Sequence, residues 1–404
     1  MARDILLIPH NHFDPTWRRC FDRPAAAHGV VVRSYAEVEA HCISRFLELA
    51  GTGYPFSEGQ ACVWRKYLER HPDKLAQLRE LARKGQLDIM LAGEVVQDSN
   101  LPSAEGLVRN FLLAMPLYEA LCGLDHRGLK LAWVEDAFGN SPNYPQILRG
   151  VGAEVVCQLS YRSLPDDVWV GIDGTKIPTY DRAPKTFSGA FEKHPPCESC
   201  RGQGCDACGG AGMRVLDQFD LEALKKAILN AVAKEDSTGS NVSGGAYAVE
   251  SKSDSDKPAG GGGGGWCGVM LLTEEILPDQ RIPGFIEEIN RELAGRARVR
   301  LGNPSDLYEA DRARLEKAMA AAGDTPSPDL NPGMPGCYVS RIKCKQLTKD
   351  VSYALIRAEA KLAGEAWAKG QAAKPPEDLN HAWRLTVFNH FHDAITGTHI
   401  DNAY

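Results

Sequence analysis

Across the first 180 residues, short apolar runs alternate with longer segments whose apolar positions recur every three or four residues. That rhythm predicts βα units around a parallel sheet: runs buried on both faces suit parallel strands, and one-sided stripes suit covering helices. Strands are expected at 5–9, 87–91, 129–134 and 154–159, and helices at 35–50, 60–70, 73–84, 104–120 and 143–150. Several helix ends are marked: Pro72 and Asp73 open one, Gly85 closes it, and Ser103 followed by Glu105 starts another. Within KLAQLRELARK, Leu75, Leu78 and Leu81 or Ala82 fall on one stripe, as a helix laid on a sheet requires.

Over 235–265 the pattern dissolves into Ser, Asp and Gly, ending in six consecutive glycines, and cannot pack a core. This stretch reads as a surface insertion or flexible linker. WCGVMLL then predicts another buried strand and PGFIEEINREL a helix. A second loop rich in Pro, Gly and Asp covers 323–336, and the long amphipathic segment from Ser340 to Gly370 marks the start of a helical domain. The fold expected is α/β: a (β/α)-barrel-like parallel domain over 1–322, with a Cys/Gly-rich insertion at 190–265, followed by a partial helical bundle over 337–404. That bundle reads as truncated, which would leave apolar surface exposed. No internal repeat of fixed period is apparent.

The 404 residues are 43% apolar and 25% charged with net charge −7, so a large core is available and no basic footprint points to nucleic acid or a membrane surface. MARDILLIPHNHFDPTW runs directly from the initiator Met into an apolar strand, without the layout of a signal peptide. No segment approaches the roughly 18 apolar residues of a membrane span, and a cytoplasmic location is expected. Homo-oligomerisation stays open. Of the 12 cysteines, four sit in paired CxxC knuckles, and the other eight read as free thiols.

Chemistry-bearing residues fall into three clusters. His10-Asn11-His12-Phe13-Asp14-Pro15-Thr16-Trp17 follows the first strand, at the end where α/β barrels build active sites. Imidazole and carboxylate two residues apart, at His12 and Asp14, are suitable zinc ligands if the turn bends inward, whereas His10 reads as a structural neighbour. The second cluster, Glu135-Asp136-Ala137-Phe138-Gly139, takes the equivalent place after the 129–134 strand. Asp136 is there a metal ligand, a nucleophile or a helix cap, although Ser141 before Pro142 is the better cap. The third cluster, His390-Phe391-His392-Asp393-Ala394-Ile395-Thr396-Gly397-Thr398, lies near the end and must fold back over the mouth to join the others. By itself it reads as a helix-end cap at His392-Asp393 and a surface residue at His390.

Together, the H-x-H-x-D-P-x-W start, the D-x-F-G segment after a tryptophan-bearing strand and the late H-D-A-I-T-G-T resemble, in order, the signatures of glycoside hydrolase family 38, the α-mannosidases. The resemblance extends through FSEGQACVWRKYLERHPDKLAQLRELARKGQLDIM, DSNLPSAEGLVRNFL and LPDDVWVGIDGTKI, and so covers most of the chain. Phe13 stands where Asn is commoner and Thr16 where Gly is commoner; neither is an expected ligand. The resemblance implies a retaining hydrolase of terminal α-mannosides, with one zinc held by His12, Asp14, Asp136 and His392 and Asp136 also the nucleophile. Such an enzyme needs one carboxylate to trap the anomeric carbon and a second carboxyl, roughly 5 to 5.5 Å away, to protonate the leaving oxygen. The family places that acid after the insertion, where this chain reads Leu271-Leu272-Thr273-Glu274-Glu275. Glu275 is the first choice and Glu274 the reserve, although relatives often carry aspartates there. Trp17 would form an apolar platform under the sugar. Asp98 would bind sugar hydroxyls or merely shape a turn, and Asp393 would contact sugar or orient His392.

Cys197, Cys200, Cys205 and Cys208 form C-x2-C-x4-C-x2-C, similar to the zinc hairpins of DnaJ-type cysteine-rich domains. Four thiolates leave no open position, so a second, structural zinc is expected there, with a redox dithiol as the other reading. Two other functions are carried alongside the hydrolase. A metal-dependent amidohydrolase or deacetylase would need further strand-end ligands, but His126, His194 and His381 lie outside such motifs. A non-catalytic zinc or carbohydrate-binding relative of the mannosidases would lack a carboxyl opposite Asp136.

Overall fold

Arg3–Pro9 form the first strand, β1, whose Ile5, Leu6, Leu7 and Ile8 are all fully buried. The computed structural model describes residues 3–27, 30–159, 167–180, 185–186, 199, 221–238, 266–272, 278–328, 330–331 and 333–404. After β1 come β2 (Ala25–Ala27), β3 (Val30–Val32), α1 (Ala36–Leu49), β4 (Phe56–Ser57), α2 (Ala61–Arg70), α3 (Leu75–Arg83), β5 (Leu87–Asp88), α4 (Ala104–Cys122), β6 (Leu131–Glu135), α5 (Tyr144–Gly150) and β7 (Val155–Leu159). Then follow β8 (Val168–Val170), β9 (Lys176–Tyr180), β10 (Lys185–Thr186), α6 (Leu221–Thr238), β11 (Trp266–Leu272), α7 (Ile282–Leu293), β12 (Ala297–Leu301), α8 (Pro304–Ala321), α9 (Ile342–Ala368), α10 (Glu377–Phe388) and α11 (His392–Thr396).

β1 is flanked by β11 and β12, both parallel to it. β4 pairs in parallel with β5, and β6, β7 and β9 form a second parallel set with β8 antiparallel at its edge. Isolated parallel bridges between His10 and Ser57 and between Leu91 and Ala132 join these groups, giving the order β11, β1, β4, β5, β6, β7, β9. Among the described residues these pairings do not close a ring. The α/β class is as expected.

Alternation along β1 explains why the run is apolar throughout. Ile5 and Leu7 pack with Leu224 and Ile228 of α6 and Ile282, Phe285 and Ile289 of α7, whereas Leu6 and Ile8 face Met90, Leu131, Trp133, Val155, Leu307 and Tyr308. Both faces are covered, so each side chain gains roughly 2 kcal/mol over exposure. α3 buries Leu78, Leu81 and Ala82 as its stripe predicts, and the Ser103 hydroxyl accepts from the Gly106 amide to cap α4.

Several boundaries differ from the sequence reading. The strand expected at 87–91 is only Leu87–Asp88 plus the Leu91 bridge, and β6 starts at Leu131 after a tight turn over Arg127–Lys130. Gly128 sits so close to Ile89 and Asp88 that a Cβ would collide with the Ile89 carbonyl, so β6 can join the sheet only beyond that crossing. Asn143 immediately precedes α5 but makes no side-chain cap, whereas at the helix entry the Ser141 hydroxyl accepts from the Asn143 amide and the Ser141 carbonyl from the Tyr144 amide. The loop at 323–336 is pinned to the sheet: Ser327 exchanges hydrogen bonds with Val170, Leu330 bridges to Asn140 and is buried, and the Gly333 amide donates to Phe138. α6 runs to Thr238, past the start of the expected linker at 235, and the rest of that linker lies outside the described residues.

α9 and α10 dock on α4 through one polar knot. Arg109 makes a bidentate pair with Glu359 at 3.0 and 2.6 Å, the Trp383 indole donates to the same carboxylate, and the Arg109 guanidinium lies over the Trp383 ring. Elsewhere α9 exposes Leu347, Val351, Leu362 and Trp367. Among the described residues, no helix is long and apolar enough to cross a membrane.

Candidate metal centre

β1 ends at Pro9 and hands 10–14 to the carboxyl end of the sheet, where β6 delivers Glu135 and Asp136. The third contributor arrives from the helical segment. The His392 amide donates to the Val96 carbonyl, the Asp98 amide to the His390 carbonyl, and Phe391 bridges to Gln97, so the turn between α10 and α11 is laced to 96–98. Phe391, fully buried in the main core, anchors that turn and packs its ring 4.1 Å from the His392 ring.

The three clusters meet. His12 Nε2 lies 3.1 Å from Asp14 Oδ1 and 3.7 Å from Asp136 Oδ2; His392 Nε2 lies 3.6 Å from Asp14 Oδ1 and 3.7 Å from Asp136 Oδ2. The two imidazoles stack at 5.9 Å. His12 Nε2, His392 Nε2 and Asp14 Oδ1 are buried and make no hydrogen bond. Buried polar atoms without partners are costly, and here they converge on one point. Ligand atoms of His12, Asp136 and His392 lie within 4.8 Å of one another, as do those of Asp14, His392 and Asp393, so these groups could hold a metal ion. Two imidazoles with two carboxylates suit zinc.

Asp136 differs from its neighbours in two ways. Its side chain is 34% exposed against 9% for Asp14 and 0% for His392, so it forms the open side of the cluster. Its φ of 54° also puts a non-glycine residue in the left-handed region, at roughly 1 kcal/mol. The conformation turns this carboxylate back toward His12 at the end of β6.

The acids and histidines of the cluster shift one another. Burial alone would lower the basicity of His392, yet the carboxylates of Asp14, Asp393 and Asp136 lift it to about 9. Burial opposes a charge on His12 as well, but Asp14 and Glu135 raise it well above the ordinary histidine value. Burial pushes Asp14 up and the two histidines pull it below the usual carboxylate range, whereas burial wins at Asp393 and raises it to about 7.

The remaining expected site residues are placed as follows. Trp17 is partly exposed, its ring stacks under the Arg18 guanidinium at 4.0 Å, and its carbonyl accepts from the Ile400 amide. Asp98 is fully buried; Oδ1 accepts from the Asn100 and Leu101 amides and Oδ2 from the Tyr338 hydroxyl, so it shapes a turn beside the site. Asp393 is bonded to the Thr398 hydroxyl, with Oδ2 3.6 Å from His392 Nε2. His390 is not on the surface: it is fully buried, because Gly106 of α4 leaves room for its ring. His126, which lies outside the strand-end motifs that the deacetylase reading needs, is engaged with Asp88 and the Ile89 amide. Glu274, Glu275, Cys197, Cys200, Cys205 and Cys208 lie outside the described residues, and Cys20, Cys42, Cys62, Cys122, Cys157, Cys337 and Cys344 are free thiols.

Three acidic residues gained no role from the sequence. Glu135 accepts from His10 Nε2 at 2.8 Å and from the Trp133 indole at 2.9 Å, and lies 3.2 Å from His12 Nδ1. The period of two in β6, which puts Trp133 and Glu135 on one face, was the available signal. Deeper in, Glu39 is bonded to the Asn11 amide and Glu58 Oε1 accepts from the Gln60 amide at 2.6 Å, and each carboxyl keeps one buried oxygen without a partner. Burial, with mutual repulsion at Glu58, raises both from the ordinary 4.5 to about 8. A carboxyl with a raised folded value binds its proton more tightly than the unfolded chain does. Its stabilising contribution is complete below the unfolded value and fades as pH rises toward the folded one. The urea midpoint is therefore expected to fall between pH 5.5 and pH 8.5 by less in a Glu39→Gln, Glu58→Gln variant than in the parent; parallel declines would refute the assignment.

Residues 2–237 match the family model described as Glycosyl hydrolases family 38 N-terminal domain, and residues 335–404 the one described as Alpha mannosidase middle domain. The chain is 24% identical to Alpha-mannosidase 2C1 of Mus musculus over 402 residues, 98% of this chain and 32% of that protein. It is 29% identical to the Alpha-mannosidase of Saccharomyces cerevisiae over 191 residues, 45% of this chain and 16% of that one. A crystal structure of an alpha-mannosidase from Enterococcus faecalis V583 shares the fold, with TM-score 0.64 at 18% identity over 99% of this chain and 40% of that chain. The chain thus spans about a third of the length of the mouse relative, 32%.

Proposed function

The chain belongs to glycosyl hydrolase family 38, and on that premise we propose that it supplies the catalytic centre of a retaining hydrolase of terminal α-mannosides. The observation that carries this reading is the meeting of His12, Asp14, Asp136 and His392, brought from three distant stretches, with their unpartnered atoms facing one another. Zinc bound by these four residues would supply a positive charge on which sugar hydroxyls are held and the ring is distorted.

Asp136, the most open carboxylate of the cluster, is the nucleophile. Its oxygen bonds to the anomeric carbon as the bond to the leaving oxygen breaks, and Glu275, with Glu274 in reserve, gives that oxygen its proton. The same acid, now a carboxylate, takes a proton from water as the water oxygen displaces Asp136, and the anomeric configuration is retained. β11 supports this choice: its Leu272 pairs with Pro9, so it ends level with the strand that leads to His12. Trp17 supports the apolar face of the sugar, while Asp98 and Asp393 serve its hydroxyls and Asp393 orients His392. The reading includes closure of the strands into a barrel over 1–322, a helical middle domain over 337–404, a structural zinc on Cys197, Cys200, Cys205 and Cys208, and a cytoplasmic location.

The test is hydrolysis of an aryl α-mannoside by the purified protein before and after chelation. Turnover lost with the metal, restored by zinc and giving the α-anomer first supports the proposal; turnover indifferent to chelation contradicts it.

A further inference from the structure

Building on the metal reading, we propose that Glu135 is a positioning residue: it fixes the His12 imidazole with its proton on Nδ1 and so turns the Nε2 lone pair toward Asp14, Asp136 and His392. Glu135 Oε2 faces His10 Nε2 at 2.8 Å, His12 Nδ1 at 3.2 Å and the Trp133 indole nitrogen at 2.9 Å. An ionised carboxylate only accepts, so all three nitrogens must present N–H. For His12 that leaves Nε2 as the nitrogen free to bind a cation, and Nε2 is the atom buried without a hydrogen bond.

His10 braces the same anchor. Its Nδ1 lies 3.1 Å from the Ser57 carbonyl and its Nε2 lies 2.8 Å from Glu135 Oε2, so its ring holds the carboxylate in place beside His12. The other ring of the centre is held differently: His392 Nδ1 lies 3.1 Å from the Val96 main-chain carbonyl. One metal-facing imidazole is therefore oriented by a replaceable side chain and the other by backbone, which gives the protein an internal control.

Partners that orient a metal-bound histidine typically contribute 10–100-fold in metal affinity. The experiment measures zinc affinity by chelator competition in the parent, Glu135→Leu and Glu135→Gln proteins, together with the Nδ1–H resonances of ¹⁵N-labelled histidine in the zinc-loaded forms. Glu135→Leu is expected to weaken zinc binding by about 10–100-fold and to lose the protected His12 Nδ1–H signal while that of His392 persists. Glu135→Gln, whose amide oxygen still accepts, is expected to fall between, and it carries the test alone if the leucine variant does not fold. Melting of the metal-free forms separates this effect from loss of packing. Variants that bind zinc within about twofold of the parent and keep the His12 signal would overturn the proposal while leaving the metal reading intact. A parent protein that takes up no zinc would overturn both.

Discussion

Replacing Asp136 by alanine is expected to lower turnover of an aryl α-mannoside by on the order of 10⁴-fold or more, because it removes the attacking oxygen and one donor to the cation together. Alanine at a φ of 54° is also strained, so folding must be controlled. Asp136→Asn supplies that control: asparagine tolerates the left-handed conformation and nearly keeps the shape, but its amide is a poor nucleophile. Both variants should be inactive while Asp136→Asn melts close to the parent. Residual turnover within about tenfold of the parent in either would mean that another group attacks the sugar.

His392→Ala is expected to weaken zinc binding at least about 100-fold, since a direct donor counts for no less than an outer partner. It leaves Asp14 Oδ1 facing His12 alone and removes the ring contact to the Val96 carbonyl, which keeps the main-chain amide of residue 392 as donor. Affinity in the parent should also fall as pH drops, because the carboxylates that lift His392 to about 9 make protons compete with the cation for the same nitrogen. Chelator competition at two pH values checks both effects. Unchanged affinity in His392→Ala would separate the late histidine from the metal.

The sequence disclosed this centre unevenly, for physical reasons. β1 was legible because a strand buried on both faces must be apolar throughout, and Ile5 to Ile8 leave no other reading. The partnership of His12 with His392 came only through family resemblance, since no local pattern says that a helical turn 380 positions later folds back onto 96–98; the lacing of Val96, Gln97 and Asp98 to it is main-chain bonding and leaves no side-chain trace. Chain conformation hid other features. Nothing in Val-Glu-Asp-Ala announces that Asp136 has a positive φ, and the loop at 323–336 has linker composition although Leu330 is buried in the core. Glu135 carries no local signal of its own, since the adjacent Asp136 is an equally suitable carboxylate at the same strand end. Its role follows only from which nitrogens lie around Oε2.

The most direct test of the central claim is anomalous scattering at the zinc edge from crystals of the zinc-loaded protein. The account predicts a peak in contact with His12 Nε2, His392 Nε2 and the carboxylates of Asp14 and Asp136. A map with no peak among those four residues, from protein that hydrolyses α-mannosides, would contradict it.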